Sequence, residues 1–565
     1  MPPPPPPASG SSSSDAVPEA YQADGVPASP ESGRRRALSG WTIAIPVAAF
    51  FASFAVSTWS IKAHFEGGLS HEFCNYAEIG RNLLEGRGLR TRMVYPSTLA
   101  LLDQRGLAFT GLAPVLDRFP LQAVLTAGAE RIAGGGDGAV LALSAVTLAT
   151  LAALTAAAGL AFFGPWEAAL AGAFVALDPA FQRGFVLWGL PDFGFAVLVL
   201  ALTWLLAAPD ELKTARTAAA GAVAGLAWLQ RSNLLLWLPI FAWKLGRGKG
   251  GARRLLEFFG AACLVSLPAL LYNRRWYGSL TPPTFAWNLA HHVLVDTPPW
   301  LQYRVFTAPE ALAHPAELSR KFLYYLWLHA RELHGWWAMR LVFPVAVLGA
   351  WSVERDRRRR PRDWARLCGL MLVTQIVAFS FLRFELLGPW VGGRYYLWAA
   401  PTLFLLAAHA AAHLGKGAGF PLAAPLLFAA ANLTLFLHGL LGPQGAPAHP
   451  AALRVDAWPE MTVLRSLPED CIVATNLPAQ AAWYARRSAV ALPAEPEDLL
   501  RIDARHPMDA VLVSTLTAAE PYNTPAWAAL MADRRALAAF AVRGRWVVRR
   551  DFGTSVLLTR EKAGL

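Results

Sequence analysis

Ser70-His71-Glu72-Phe73-Cys74-Asn75-Tyr76-Ala77-Glu78-Ile79-Gly80-Arg81-Asn82-Leu83-Leu84-Glu85-Gly86-Arg87-Gly88 is the stretch on which the reading of this chain turns. It begins a few residues after a first long apolar run, 41–62, and it places carboxylates, arginines and a tyrosine directly outside that run. A membrane protein that keeps ionisable side chains beside its first span is expected to do chemistry there.

Composition supports the membrane reading. The 565 residues are 55% hydrophobic and 16% charged, with 22 Trp and 30 Phe, and the mean hydropathy is +0.34. Apolar segments able to cross a hydrocarbon core of about 30 Å recur from Gly40 to Leu441, about eleven in all. The spans expected are 41–62, 138–163, 167–182, 190–208, 215–229, 232–246, 254–272, 336–353, 364–383, 395–413 and 419–441. The fold class expected is a polytopic α-helical membrane protein.

Short loops beside spans fix the orientation expected. Arg34-Arg35-Arg36 places the N-terminus in the cytoplasm, and eleven crossings then put the loops bearing Lys213 and Arg216, Lys244 to Arg254, Arg355 to Arg366, and Lys416 on the same side. Residues 63–137, 273–335 and everything after about 443 fall outside. The net charge of +12 is then mostly a matter of cytoplasmic flanks, and no nucleic-acid partner is expected.

Three regions follow: a disordered cytoplasmic tail over 1–40, opened by Pro2 to Pro7 and Ser11 to Ser14; a transmembrane domain over 41–442; and a soluble extracytoplasmic domain over 443–565. The last has β-rich runs at Cys471 to Thr475, Ala489 to Leu492 and Asp509 to Val513, alternating with helical ones. It ends in a hairpin from Trp546-Val547-Val548 to Ser555 through Leu558. This is a small α/β domain with a mainly parallel sheet. It lacks a glycine-rich nucleotide fingerprint and reads as a lid or docking module.

No metal set can be read from the twelve histidines. His291-His292 are neighbours and do not share a helix face. Nothing requires a cofactor or a divalent metal, and nothing rules a metal out. Of the four cysteines, Cys74 and Cys471 are both placed outside, where a bridge between them is compatible with the compartment.

The residues with chemical promise lie on the predicted outer side. Glu72 is the candidate general base. Glu78 and Glu85 read as a solvated face pairing with Arg81. Asp192 opens the fourth span, where capping and function explain it equally well. Three clusters carry arginine beside aromatic or amide groups: Gln230-Arg231-Ser232-Asn233, Tyr272-Asn273-Arg274-Arg275-Trp276-Tyr277 and Gly393-Arg394-Tyr395-Tyr396. The guanidinium fork matches phosphate oxygens, so these clusters suit an anionic lipid headgroup; each alone also suits interfacial anchoring.

These motifs together resemble the GT-C superfamily of integral-membrane glycosyltransferases, in the branch of bacterial dolichyl-phosphate-mannose protein mannosyltransferase homologues and the lipid A aminoarabinose transferase. The resemblance runs through Glu72 to Gly88, Arg118-Phe119-Pro120-Leu121, Gly189-Leu190-Pro191-Asp192, Gly225 to Asn233, Pro268 to Gly278 and Gly393-Arg394-Tyr395-Tyr396. It implies inverting transfer of a sugar from a polyprenyl-phosphate donor to a glycan, lipid or protein acceptor, on the outer face of the cytoplasmic membrane. Glu72 falls on the family's catalytic aspartate. Tyr76, Arg81, Asp192, Arg231, Asn273, Arg274, Arg275, Arg394 and Tyr395 are the substrate-binding candidates.

The chain departs from the family at two points. Glutamate is longer than aspartate by about 1.5 Å, and Phe73 follows Glu72 where an acidic pair is usual. Two readings from other classes remain: a transporter or flippase of an anionic lipid-linked substrate, and a non-catalytic scaffold that keeps the fold.

Overall fold

The structure, a computed structural model, describes residues 30–65, 67–69, 71–189, 191–207, 214–332, 342–355, 358–382, 393–417, 423–441, 455–515 and 524–560, with side chains from residue 43 and excluding those of 415–417. Residues 1–29 of the expected tail, Leu190 and Lys213 lie outside the described residues, as does the side chain of Lys416. Residues 30–40, expected as tail, are helical: Pro30 opens the first helix, Pro30–His64, its fixed φ suiting a first turn. The chain divides into Met1–Ala44 and a large body, Ile45–Leu565.

The body is mostly helical, and each expected span has a helical counterpart over its described residues; residues 208, 336–341, 383 and 419–422 lie outside them. Six helices are long and apolar enough to cross a membrane: Ile43–His64, Asp137–Phe162, Gly251–Tyr277, Arg359–Leu382, Gly393–Leu414 and Ala423–Leu441. A seventh arises if Ala180–Trp188 and Asp192–Leu206, bent by 116°, are one broken span. The others are shorter, such as Pro165–Leu177, or interrupted. Thr214–Gln230 ends where Arg231 turns extended, and a 3₁₀ turn, Ser232–Trp237, leads into Leu238–Gly246. The number of crossings thus depends on how the short and broken helices are counted.

The 116° bend has a local cause. Gly189 sits at φ +63, in the left-handed region that glycine adopts freely, and Pro191 immediately precedes the next helix. A Cβ at Gly189 would collide with the ring of Phe73, so the bend and the quoted stretch pack directly on each other.

That stretch forms the helix His71–Leu84, buried along most of its length. It packs against Pro120–Ala133 and against Pro478–Trp483 of the tail region. A six-stranded sheet stands beside it, in the spatial order Met93–Val94, Ser488–Ala491, Ile472–Thr475, Ala510–Ser514, Ser555–Arg560, Trp546–Asp551. The first four pair in parallel, and Ser555–Arg560 pairs antiparallel with the strand on either side of it.

The mainly parallel sheet and the terminal hairpin are those expected from the sequence. The sheet is not completed within 443–565, however. Its edge strand comes from the 63–137 segment, and Val94, Leu99, Leu102 and Ala113 of that segment share one core with Val490, Val511 and Trp527.

Candidate functional site

Glu72 lies in the first turn of its helix, where the free amides favour a carboxylate. It is 8% exposed, and its carboxylate is ion-paired with the guanidinium of Arg394. Arg394 reaches it from the 3₁₀ segment Gly393–Ala399. Gln375 pins this segment: its amide donates to the Tyr395 carbonyl at 2.8 Å, and its side-chain oxygen accepts from Trp398 Nε1 at 2.9 Å. Arg394 also donates to the Tyr395 hydroxyl at 3.0 Å.

Asp192 heads the helix after the bend, yet its carboxylate does not cap that helix. It pairs with Arg231 at 2.6 Å, and both are buried. Arg231 is presented by the break between Gln230 and Ser232. Its guanidinium lies 4.8 Å from the centre of the Tyr395 ring, and that of Arg394 lies 4.9 Å from the same ring. One tyrosine therefore carries two stacked cations, whose repulsion the ring and the two carboxylates offset.

A third pair, Arg118–Asp117 at 2.9 Å, completes the centre. Arg118 also donates to the Tyr95 hydroxyl at 3.3 Å, and its guanidinium lies 5.8 Å from the Tyr76 ring centre. Burial alone would raise the Glu72 pKa, but the guanidiniums of Arg394, Arg118 and Arg231, with His71, outweigh it and hold the carboxyl well below the usual carboxylate range. Burial pushes the Tyr76 phenol up. The three arginines Arg118, Arg231 and Arg394 thus face three carboxylates, Asp117, Asp192 and Glu72, and the cluster is close to neutral.

Gln230 braces this centre, donating to Gln122 Oε1 at 2.7 Å and to the Pro191 carbonyl at 3.0 Å. Beside Arg118 opens a mainly apolar cleft. Trp228, Leu229, Tyr272, Asn273 and Tyr277 are among the residues that line it.

The structure therefore brings together Glu72, Tyr76, Asp192, Arg231, Arg394 and Tyr395. Asn273 lines the cleft, its amide donating to the Leu280 carbonyl at 2.9 Å. Arg274 donates to the Gly278 carbonyl at 2.6 Å, and Arg275 stacks on Trp276 at 5.3 Å; neither pairs with a carboxylate of the centre. Arg81 is turned the other way, donating to the Trp483 and Ala482 carbonyls at 3.1 and 2.9 Å and lying 4.5 Å from the Trp483 ring centre.

One expectation needs correction. Glu78 is not on a solvated face: it is 0% exposed. It accepts from Asn82 Nδ2 at 2.5 Å, Thr91 Oγ1 at 2.9 Å and the Arg92 amide at 3.0 Å, because residues 90–94 fold over it. Cys74 and Cys471 lie buried in separate clusters and are not bridged to each other. The rings of His291 and His292 do stack, at 4.0 Å, because His292 lies past the helix end at φ +58. Among the described residues no group of three or more His, Cys, Asp or Glu side chains is arranged to hold a metal ion.

Arg118, Gln122 and Tyr95 were not singled out as site residues from sequence. Arg118 stood in a quoted motif, but an arginine next to an aspartate reads as a self-contained pair. Only the packing of Pro120–Ala133 on the Glu72 helix shows that it faces the carboxylate.

No protein-family model matches the sequence, and no curated protein sequence is similar to it. Solved structures are similar in fold. ArnT from Cupriavidus metallidurans in the apo state superposes with a TM-score of 0.55 at 14% identity, over 92% of this chain and 98% of that one. The same protein bound to undecaprenyl phosphate gives 0.50 at 14% identity with the same coverage. The archaeal oligosaccharyltransferase AglB from Archaeoglobus fulgidus, in complex with an inhibitory peptide and a dolichol-phosphate, gives 0.51 at 12% identity, over 84% of this chain and 69% of that one. The chain shares the fold of these structures.

Proposed function

We propose that the chain is a membrane glycosyltransferase that moves a sugar from a polyprenyl-phosphate donor to an acceptor nucleophile on the outer face of the cytoplasmic membrane. The observation that carries this reading is the set of three arginines around Glu72 at the head of an apolar cleft. A transferase of this kind must bind an isoprenoid chain, hold a phosphate and accept a proton, and these parts adjoin one another here. The structures of similar fold bound to undecaprenyl phosphate and dolichol-phosphate support the same class of donor.

In the proposed reaction the acceptor O–H gives its proton to the Glu72 carboxylate as its oxygen bonds to the anomeric carbon. The bond from that carbon to the phosphate oxygen breaks, and its electron pair stays on the phosphate. Attack opposite the leaving group inverts the centre. Arg394, Arg231 and Arg118 meet the charge that grows on the phosphate, so they stabilise the transition state more than the ground state.

A neutralised cluster cannot do this at rest. The incoming phosphate must take Arg394 from Glu72, and that exchange also restores basicity to a carboxylate that Arg394 holds acidic. Phosphate binding thereby arms the base. Asp192 orients Arg231, and Tyr395 fixes the spacing of the two guanidiniums.

The test is transfer of radiolabelled sugar from polyprenyl-phosphate donors in membranes with matched protein levels, comparing the wild type with Glu72→Gln and Arg394→Ala. Loss of transfer in both supports the reading. Wild-type membranes inert toward every donor overturn it, and transfer that survives Glu72→Gln removes Glu72 from its role.

A further inference from the structure

The arginines of this segment fall into two electrostatic classes. Arg118, Arg231 and Arg394 are each matched by a carboxylate. Arg90, Arg105, Arg274 and Arg275 form a second group in which no arginine has an acidic partner among the described residues. Three separate chain segments bring them to the C-terminal end of the apolar helix Gly251–Tyr277.

The group is assembled around Trp276 and Gly278. Arg90 and Arg275 lie over the Trp276 ring, at 5.4 and 5.3 Å from its centre. Arg105 donates to the Arg275 carbonyl at 3.3 Å, and Arg274 to the Gly278 carbonyl at 2.6 Å. Gly278, at φ +74, leaves room for the Arg105 guanidinium, which a Cβ there would strike. Leu89, Asn273 and Tyr277, neighbours of these arginines in sequence, line the apolar cleft, so the patch borders its mouth.

Favourable interaction with the helix C-terminal dipole accounts for Arg274, which lies in the last turn. It does not account for Arg90 and Arg105, which come from other segments. Four cations with no acidic partner among the described residues repel one another, an arrangement that an anion of two or more oxygens relieves. Its place, at the end of an apolar span beside an apolar cleft, suits an anion carried on a hydrocarbon chain.

We propose that Arg90, Arg105, Arg274 and Arg275 form a binding site for the phosphate headgroup of a lipid, separate from the phosphate that reacts beside Glu72. The site is open in the resting protein, whereas the reacting centre is neutralised, so it also gives a phosphorylated lipid its first attachment on approaching the cleft.

The experiment is native mass spectrometry of the full chain in neutral detergent, titrated with phosphatidic acid, phosphatidylcholine or inorganic phosphate. Wild type is expected to bind phosphatidic acid in preference to phosphatidylcholine. Arg274→Gln with Arg275→Gln, and separately Arg90→Gln with Arg105→Gln, should each weaken that binding by about tenfold or more, as loss of charge-assisted hydrogen bonds predicts. Arg394→Gln should leave this binding in place, and melting temperatures without lipid verify that each variant is folded.

Equal binding of both lipids, undiminished binding in the folded double variants, or inorganic phosphate binding as tightly as the lipid would each overturn the proposal. The proposal rests on the membrane-enzyme reading only for which lipid arrives. Binding is measured without sugar transfer, so its failure leaves the transferase reading standing, and loss of transfer in Glu72→Gln leaves this site untouched.

Discussion

A carboxylate that is to take a proton must first be released from the guanidinium that neutralises it. Glu72→Gln keeps the shape and removes the base, and should lower the transfer rate by about 10²–10⁴ with donor binding retained. Arg394→Lys keeps the charge but not the fork that joins Glu72 to the Tyr395 hydroxyl, and should restore only part of what Arg394→Ala loses; both are read from initial rates. A second acid gives a stability signature. Burial chiefly raises the Glu130 carboxyl from 4.5 to about 7. Because the folded form holds this proton more tightly, its contribution is complete below about pH 4.5 and is lost as pH rises through about 7. Glu130→Gln should flatten that part of the melting-temperature profile. Glu72 is opposite in sign: its pair persists down to strongly acidic pH. Sequence alone pointed to Glu72, Asp192, Arg231 and Arg394 because polar groups beside apolar spans are costly and fell on one predicted side. It could not tell Arg81 from these, because helical spacing gives the face of a side chain and not what covers it.

At the scale of elements, hydrophobic runs were readable because lipid imposes a length and a polarity on each span. Breaks were harder, since Gln230-Arg231-Ser232 looks like a loop between two spans and proves to be the turn that delivers Arg231. The bend at Gly189 is the sharpest case. Gly189→Ala adds left-handed strain to a collision with Phe73, one residue from Glu72. It should cost about 2–4 kcal/mol, seen as a lower melting temperature together with impaired transfer. The solvated reading of Glu78 failed for a related reason: the strands that bury it are fixed by pairings far along the chain, to which helical periodicity is blind.

At the scale of the whole molecule, the tail region is latched to the membrane body. Asp137, at the head of a span, accepts from Trp483 Nε1 and from the Tyr484 hydroxyl, both at 2.9 Å, while Arg81 holds the carbonyls of Ala482 and Trp483. The helix that carries Glu72 thus rests on the tail region through Arg81. Asp137→Asn leaves one acceptor and turns a donor toward Tyr484, at a cost of about 1–3 kcal/mol. Limited proteolysis should then cut the tail region sooner, with transfer reduced although no residue of the reacting centre has changed.

The strand Met93–Val94 carries a further consequence, for how the chain comes to be. It pairs with Ala489 and Val490, residues made long after it in synthesis. Until then only Arg90–Thr91 of the segment over Glu78 has a partner, Ala113–Pro114, and the edge at Met93–Val94 is unprotected. A nascent chain is therefore vulnerable at this loop, and the cover over Glu78 is not complete before Ser488–Ala491 exists.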